Sequence, residues 1–254
     1  MNIQFPTHID WRCWIRRWDR MQDLYIPDRI ERFEIIIQLI SDSQHKVSRV
    51  LDVGCGTGSV MLHILKAFPD ASVWGIDFDP TLLALAQKRL TKFGDRVKLV
   101  EADLRKSGWP LLVDGPFNAI VSATALHWFS PQQLSRLYMQ FALILKPGGI
   151  FLNADHAGSP CKQIQKNWQT RRCIHTRNCK KKGVDDWDSF WNGYGQILKV
   201  DIRKFRRKLM GDWVGSEQGL PLEWHFDKLK TSSFEAIDCF WRQDYDAVYG
   251  GIKK

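Results

Sequence analysis

An apolar run, Arg49 to Val53, stops at Gly54-Cys55-Gly56-Thr57-Gly58 and gives way to Ser59 to Phe68, which reads as a helix. Glycines at alternate positions let the backbone turn sharply and let a ligand lie against the main chain. A helix that starts straight afterwards leaves its first N–H groups without partners. A strand, a glycine turn and a helix in that order can hold a nucleotide cofactor at the carboxyl end of a parallel strand. The spacing decides against one cofactor class. The dinucleotide pattern G-x-G-x-x-G requires a third glycine where this chain has Ser59.

The same alternation runs on. Strands are predicted at Ser72 to Asp77, Val97 to Glu101, Phe117 to Ser122 and Ile150 to Ala154, with helices at Thr81 to Leu90 and Pro131 to Leu145. Pro147-Gly148-Gly149 is a turn. Alternating strands and helices with short connections imply a parallel sheet with right-handed crossovers. A helix from Pro221 to Lys230 precedes two closing strands, Phe234 to Trp241 and Tyr245 to Gly250. The very short turn around Gln243 permits only antiparallel pairing there.

The flanks read as helix. Trp11, Trp14 and Trp18 share one helical face. Pro27 opens a second helix, Asp28 to Ile40, with Ile30, Phe33, Ile36, Ile37 and Ile40 on its apolar side. From His156 to Asp212, Lys and Arg number 14 and Asp and Glu 5, so the whole net charge of +9 sits in one segment. Such a segment reads as a helical insertion with a solvated basic face, or as a surface that attracts an anionic substrate. Four parts are therefore expected: residues 1–48, a helical N-terminal lid; 49–155, the cofactor-binding core; 156–216, the basic cap; and 217–254, a helix and hairpin that complete the core.

With 254 residues, 44% of them hydrophobic, the chain can bury a sizeable core. No apolar run approaches the roughly 20 residues of a membrane helix. Met1 to Asp10 lacks the basic start and apolar centre of a secretion signal, so a cytoplasmic protein without a membrane partner is expected. The six cysteines form no C-x-x-C pair and read as free thiols. Cys173, His175 and Cys179 lie near one another but are spaced wider than usual zinc pairs, so no metal is expected.

The string Asp52 to Gly58, D-x-G-x-G-x-G directly after a strand, resembles the first motif of class I S-adenosylmethionine-dependent methyltransferases. Two acids support the likeness. Asp77 ends the second strand, where an acid can accept hydrogen bonds from both ribose hydroxyls. Asp103 follows the third strand; the resemblance implies a bond to the adenine amino group, with Phe78 and Leu104 flanking the ring. Both acids could instead be helix caps or loop residues. Ile120 to Phe129 resembles the family's fourth-strand motif, and Leu145 to Phe151 its turn into the fifth strand. The likeness covers about 49–155 well and 221–252 loosely. It implies a Rossmann-like α/β fold, with a mostly parallel seven-stranded sheet and an antiparallel last strand. The N-terminal helices and the helical insertion would form a lid. The implied cofactor is S-adenosylmethionine, with S-adenosylhomocysteine as product, held by Asp52, Gly54, Cys55, Gly56, Gly58, Asp77, Phe78, Asp103, Leu104 and Ala123.

For the transfer, His127 stands just past the fourth strand, where the methyl group should point, and could act as base or donor; it could also simply pack beside Trp128. His156, beside Asp155, could face the same cleft, and His225 is a packing candidate. Trp11, Trp14, Trp18, Tyr25 and Trp128 could line a substrate pocket, as could Trp187 and Trp191, although aromatic residues at helical spacing usually join a core. The chain resembles small-molecule and trans-aconitate-type methyltransferases. A small-molecule or short-peptide acceptor, methylated on a carboxylate or hydroxyl oxygen in natural-product tailoring, is the first expectation, and the charge favours an anionic one. The alternative is a tRNA or RNA methyltransferase using Lys180-Lys181-Lys182 and Arg203 to Lys208. Against it, the fourth-strand region lacks both the Asn/Asp-Pro-Pro-aromatic motif and a Pro-Cys nucleophile. A non-catalytic binder is disfavoured by the intact loop and acids, and either a monomer or a homodimer is compatible with the chain.

Overall fold

A computed structural model describes residues 5–180, 183–211 and 214–254. Lys181, Lys182 and Asp212, counted in the basic segment above, lie outside the described residues. The strands are β1 (Arg49–Val53), β2 (Ser72–Asp77), β3 (Val97–Glu101), β4 (Phe117–Ala123), β5 (Leu145–His156), β6 (Phe234–Gln243) and β7 (Asp246–Lys253). They form a seven-stranded sheet in the order β3-β2-β1-β4-β5-β7-β6. Only β7 runs against the rest, between β5 and β6. The β6–β7 turn has two residues, Asp244 and Tyr245, and Asp244 takes the left-handed φ of 55° that so tight a turn requires. The fold is the expected Rossmann-like sheet.

From β1 the chain steps outward through β2 to β3, then returns to β4 on the other side. The order reverses between β1 and β4, and the crevice at their carboxyl ends is where such sheets take ligands. Alternate strand residues face opposite sides. Leu51, Val53, Ile76, Ile120 and Phe151 pack against α5 (Pro131–Ile144) and α9 (Leu222–Thr231). Val50, Val73, Ala119, Val121 and Leu152 pack against α2 (Arg29–Ser43) and α3 (Ser59–Ala67).

Two local readings are corrected. Helix α2 starts after Asp28, which has φ 55° and no side-chain cap bond. Its inner face is Arg29, Arg32, Phe33, Ile36 and Ile40, while Ile30 is 47% exposed and Ile37 half-buried. The helix is turned by Arg32, which buries its guanidinium against Asp246 at 3.2 Å. The Pro147–Gly149 turn lies inside β5: Leu145 pairs with Phe117 before the turn, and Ile150 with Ala119 after it.

The basic segment contributes α6 (Lys162–Lys180), α7 (Trp187–Leu198) and α8 (Ile202–Met210). The N-terminal α1 (Trp11–Tyr25) and α7 meet in a cluster of Trp14, Trp18, Phe190, Trp191 and Tyr194. The cluster sits on Leu82 and Leu85 of α4 (Pro80–Leu90), and the Tyr194 hydroxyl donates to the Thr81 carbonyl. Both added segments are thereby fixed to the helix that follows β2. All six cysteines are free, and no described helix is long and apolar enough to cross a membrane.

Candidate cofactor and acceptor site

Gly54, Gly56 and Gly58 all have positive φ, at 69°, 52° and 73°. The loop is pinned to β2 by the Gly54 and Cys55 N–H groups, which donate to the Ile76 carbonyl at 2.8 and 3.1 Å. A Cβ on Gly54 would lie 2.4 Å from the Ala125 Cβ, whereas one on Gly56 would meet nothing within 4 Å. Gly54 is thus needed for packing, and Gly56 leaves its backbone open to a ligand.

Asp77 lies at the end of β2, across from the loop. Its two oxygens accept from the Gly56 and Asp79 N–H groups at 2.8 and 2.9 Å. Burial raises the carboxyl to about 6, with the Asp79 charge adding to the rise and the two N–H groups and Arg206 opposing it. Each oxygen accepts only one N–H and keeps further capacity, as a ribose diol requires. The open Gly56 backbone and this positioned acid fit a nucleoside cofactor. Beneath the turn, Asp52 is buried and neither oxygen meets a donor at full hydrogen-bond geometry. Burial, then the Asp77 charge, raises it to about 8. Burial also raises the Cys55 thiol, which argues against a reactive thiolate.

Asp103 is held by its neighbour Arg105, whose Nε and Nη2 donate to the carboxylate at 2.8 and 3.0 Å. Burial would raise this acid, but Arg105 outweighs it and the carboxyl lies below its usual value. The Phe78 ring lies under the same guanidinium at 5.7 Å, Leu104 is buried in the main core, and Ala123 is half-buried at the end of β4. Asp79, which sequence reasoning passed over, caps α4 through the Thr81 N–H and pairs with Arg206.

On the acceptor side, His127 stands in a short turn after β4, and Asp155 and His156 end β5. The His127 Nδ1 and backbone N–H both bond Asp155, at 2.7 and 3.0 Å. Cross-strand pairing sets His156 beside Asp246, and its Nδ1 bonds that carboxylate at 2.9 Å. The two imidazole rings are 4.9 Å apart, and the His127 ring is 5.4 Å from Trp128. Burial would raise Asp155, yet His127 and His156 hold it far below the usual carboxylate range. Burial lowers His156, with the Asp246 bond opposing. One donor atom each from His127, Asp155 and His156 lie within 4.8 Å of one another, so this group could hold a metal ion, a possibility the cysteine and histidine spacing did not show.

These groups border a cavity of about 190 Å³ that also touches Phe129, His225 and Tyr249. Residues 214–220 cross it as a strap, with the Ser216 N–H donating to the His127 carbonyl at 2.9 Å. His225 is more than a packing residue: the Tyr138 hydroxyl is 2.7 Å from its Nδ1, and burial brings it down to about 4. The aromatic candidates mostly stay apart. Trp14 and Trp18 are buried between α1 and α7, Trp11 packs on Phe5, and the Tyr25 hydroxyl accepts from the Trp187 N–H. Trp187 and Trp191 join the same cluster.

A family model described as a methyltransferase domain matches residues 50–149, the stretch from β1 into β5. Residues 50–149 are thus a methyltransferase domain, similar to those of the class I S-adenosylmethionine-dependent methyltransferases. S-adenosylmethionine is its cofactor. This methyltransferase is 29% identical over 206 residues to phosphoethanolamine N-methyltransferase 1 of Arabidopsis thaliana, an alignment covering 81% of the chain and 38% of that relative. It is 30% identical over 121 residues to malonyl-[acyl-carrier protein] O-methyltransferase of Priestia megaterium, covering 47% of the chain and 40% of the relative. The matches therefore span well under half of these relatives' lengths. Magnesium protoporphyrin IX methyltransferase of Synechocystis, solved with bound S-adenosylhomocysteine, superposes with a TM-score of 0.58 over 94% of both chains at 13% identity. A putative O-methyltransferase from Nostoc punctiforme gives 0.60 over 94% of this chain and 60% of that one, also at 13%. At such identity these likenesses speak for the fold.

Proposed function

We propose that this methyltransferase transfers the methyl group of S-adenosylmethionine to an oxygen of a small, anionic acceptor, in the manner of natural-product tailoring enzymes. The Asp155–His127 pair at the carboxyl ends of β4 and β5 carries the proposal. When bound, the cofactor supplies an electrophilic methyl group on a positively charged sulfur. Asp77 would hold the ribose and the Gly56 backbone would border the rest of the cofactor, with Asp103 and Phe78 at the adenine end.

The chain must then align an acceptor oxygen and exclude water. A carboxylate only accepts hydrogen bonds, so Asp155 fixes the His127 proton on Nδ1 and makes Nε2 the basic nitrogen of the ring. A hydroxyl gains from such a base, whereas a carboxylate is already ionised. A hydroxyl acceptor is therefore favoured over a carboxylate. His156, tied to Asp246, would orient the acceptor from the other side of the cavity. The strap at 214–220 helps keep the site dry, and the small cavity suits a compact group. The two curated relatives are named for acceptors that carry a phosphate or an acyl carboxylate, which agrees with an anionic acceptor and the basic segment. RNA is disfavoured because the run from Arg203 to Lys208 is not a free row of cations: Arg206 turns inward and is buried against Asp79.

Methyl transfer from labelled cofactor to a panel of small hydroxy acids, with a structured RNA in parallel, tests the proposal. Labelling of a hydroxy acid is expected, and His127→Ala should lower turnover about 10²- to 10⁴-fold with unchanged affinity for S-adenosylhomocysteine. Full activity in that variant would remove the base, and labelling of RNA alone would overturn the acceptor class.

A further inference from the structure

Helix α8 of the basic segment is tied at its middle and at its C-terminal end to the acids of the cofactor cleft. Near its middle, Arg206 donates to Asp79 at 2.5 Å with its guanidinium stacked 3.7 Å from the Trp191 ring centre. Asp79 in turn donates its N–H to Asp77. At the far end, Arg105 donates to the carbonyls of Leu209, at 3.0 Å, and Met210, while the same guanidinium grips Asp103. Those two carbonyls belong to the last turn of α8, where helix carbonyls lack partners within the helix. The apolar anchor of α8 is confined to its first turn, where Ile202 is buried and Phe205 half-buried against the α1–α7 cluster. Beyond that turn, the seat of the helix depends on two guanidinium groups, each bound to an acid at or beside the cofactor positions.

We propose that α8 is a latch on the cofactor cleft, with Arg206 and Arg105 as positioning residues that hold it closed. Cofactor entry and release of S-adenosylhomocysteine then require both clasps to part. The clasps differ in strength. The Arg206 and Asp79 side chains are 12 and 1% exposed, against 33 and 24% for Arg105 and Asp103. Salt screens the exposed pair far more than the buried one. The Arg105 end opens first and responds to ionic strength; the Arg206 end sets the slow step. The proposal rests on Asp77 and Asp103 lying in the cofactor site.

Stopped-flow tryptophan fluorescence tests it, since Trp187 and Trp191 sit at the Arg206 clasp and report its opening. S-adenosylhomocysteine is the probe, with wild type, Arg206→Met, Arg206→Lys and Arg105→Met compared at low and high salt. Removing either clasp should speed both association and dissociation at least tenfold with a smaller change in Kd, and Arg206→Lys should restore part of the slow exchange. Dissociation should quicken with salt in wild type but not in Arg105→Met. Unchanged rates in both Met variants would overturn the latch. So would faster dissociation with unaltered association, because that pattern marks a direct ligand. If Asp77→Ala binds the probe like wild type, or wild type does not bind it, the cofactor assignment itself has failed.

Discussion

Asp52 supports the glycine turn from below as a buried acid without a full hydrogen bond, and its proton is part of the folded state. Its carboxyl lies at about 8 in the fold against 3.8 for an ordinary aspartate. Between those values the folded chain carries one proton more than the unfolded chain. Stability should therefore fall as pH rises through that window, by up to about 1.4 kcal/mol per unit from this group. Asp52→Asn should flatten that slope, as measured by urea unfolding at pH 5 and pH 7.5; an unaltered slope would show that Asp52 is ionised in the fold. On the acceptor side, Asp155→Asn keeps the shape but removes the carboxylate that fixes the His127 tautomer. Turnover should drop by about 10²-fold or more without loss of S-adenosylhomocysteine affinity, and an unaffected kcat would contradict the pairing. The loop residues were legible because a left-handed backbone requires glycine, which shows in any sequence. The partners were not: Arg206 finds Asp79 across 127 positions and Arg32 finds Asp246 across 214, and no local pattern announces either.

Elements were easier to read than the faces they present. Strand and helix order followed from apolar periodicity, with ends displaced by a few residues. The facing of α2 was misjudged because periodicity counts Ile30 as core and Arg32 as surface, whereas a distant aspartate reverses both. The helical nature of the basic segment was also legible, but its docking was not, since tryptophans at helical spacing read alike in a core and in a pocket. Trp18 packs edge-on to both Phe190 and Trp191 between α1 and α7. Trp18→Ala should cost about 3–5 kcal/mol, and limited proteolysis should cut α1 before the sheet; resistance equal to wild type would contradict this docking. The strap is equally constrained. A Cβ on Gly219 would lie 1.9 Å from the His156 carbonyl oxygen, at a φ of 70°. Gly219→Ala should lower the Tm and slow turnover more than it weakens cofactor binding; equal kcat in that variant would show that the strap has no part in the acceptor site.

Across the whole molecule, charge has two uses. The excess of +9 lies in the basic segment, but Arg172 and Arg206 spend theirs on buried aspartates of the core. What remains outward can draw an anionic acceptor; what turns inward ties α6 to β7 on the acceptor side and α8 to the start of α4 on the cofactor side. The sheet order follows from the sequence because alternating strands and short connections admit few topologies, whereas the internal use of the basic residues depends on folded proximity. All of this depends on the crevice between β1 and β4 binding S-adenosylmethionine through Asp77. Calorimetric titration of wild type and Asp77→Ala with S-adenosylhomocysteine tests that directly. Two hydrogen bonds to a charged group contribute about 3 kcal/mol or more, so the variant should bind at least about 100-fold more weakly, with its fold intact by circular dichroism. Equal affinity in the two proteins, or no binding by wild type, would contradict the cofactor site.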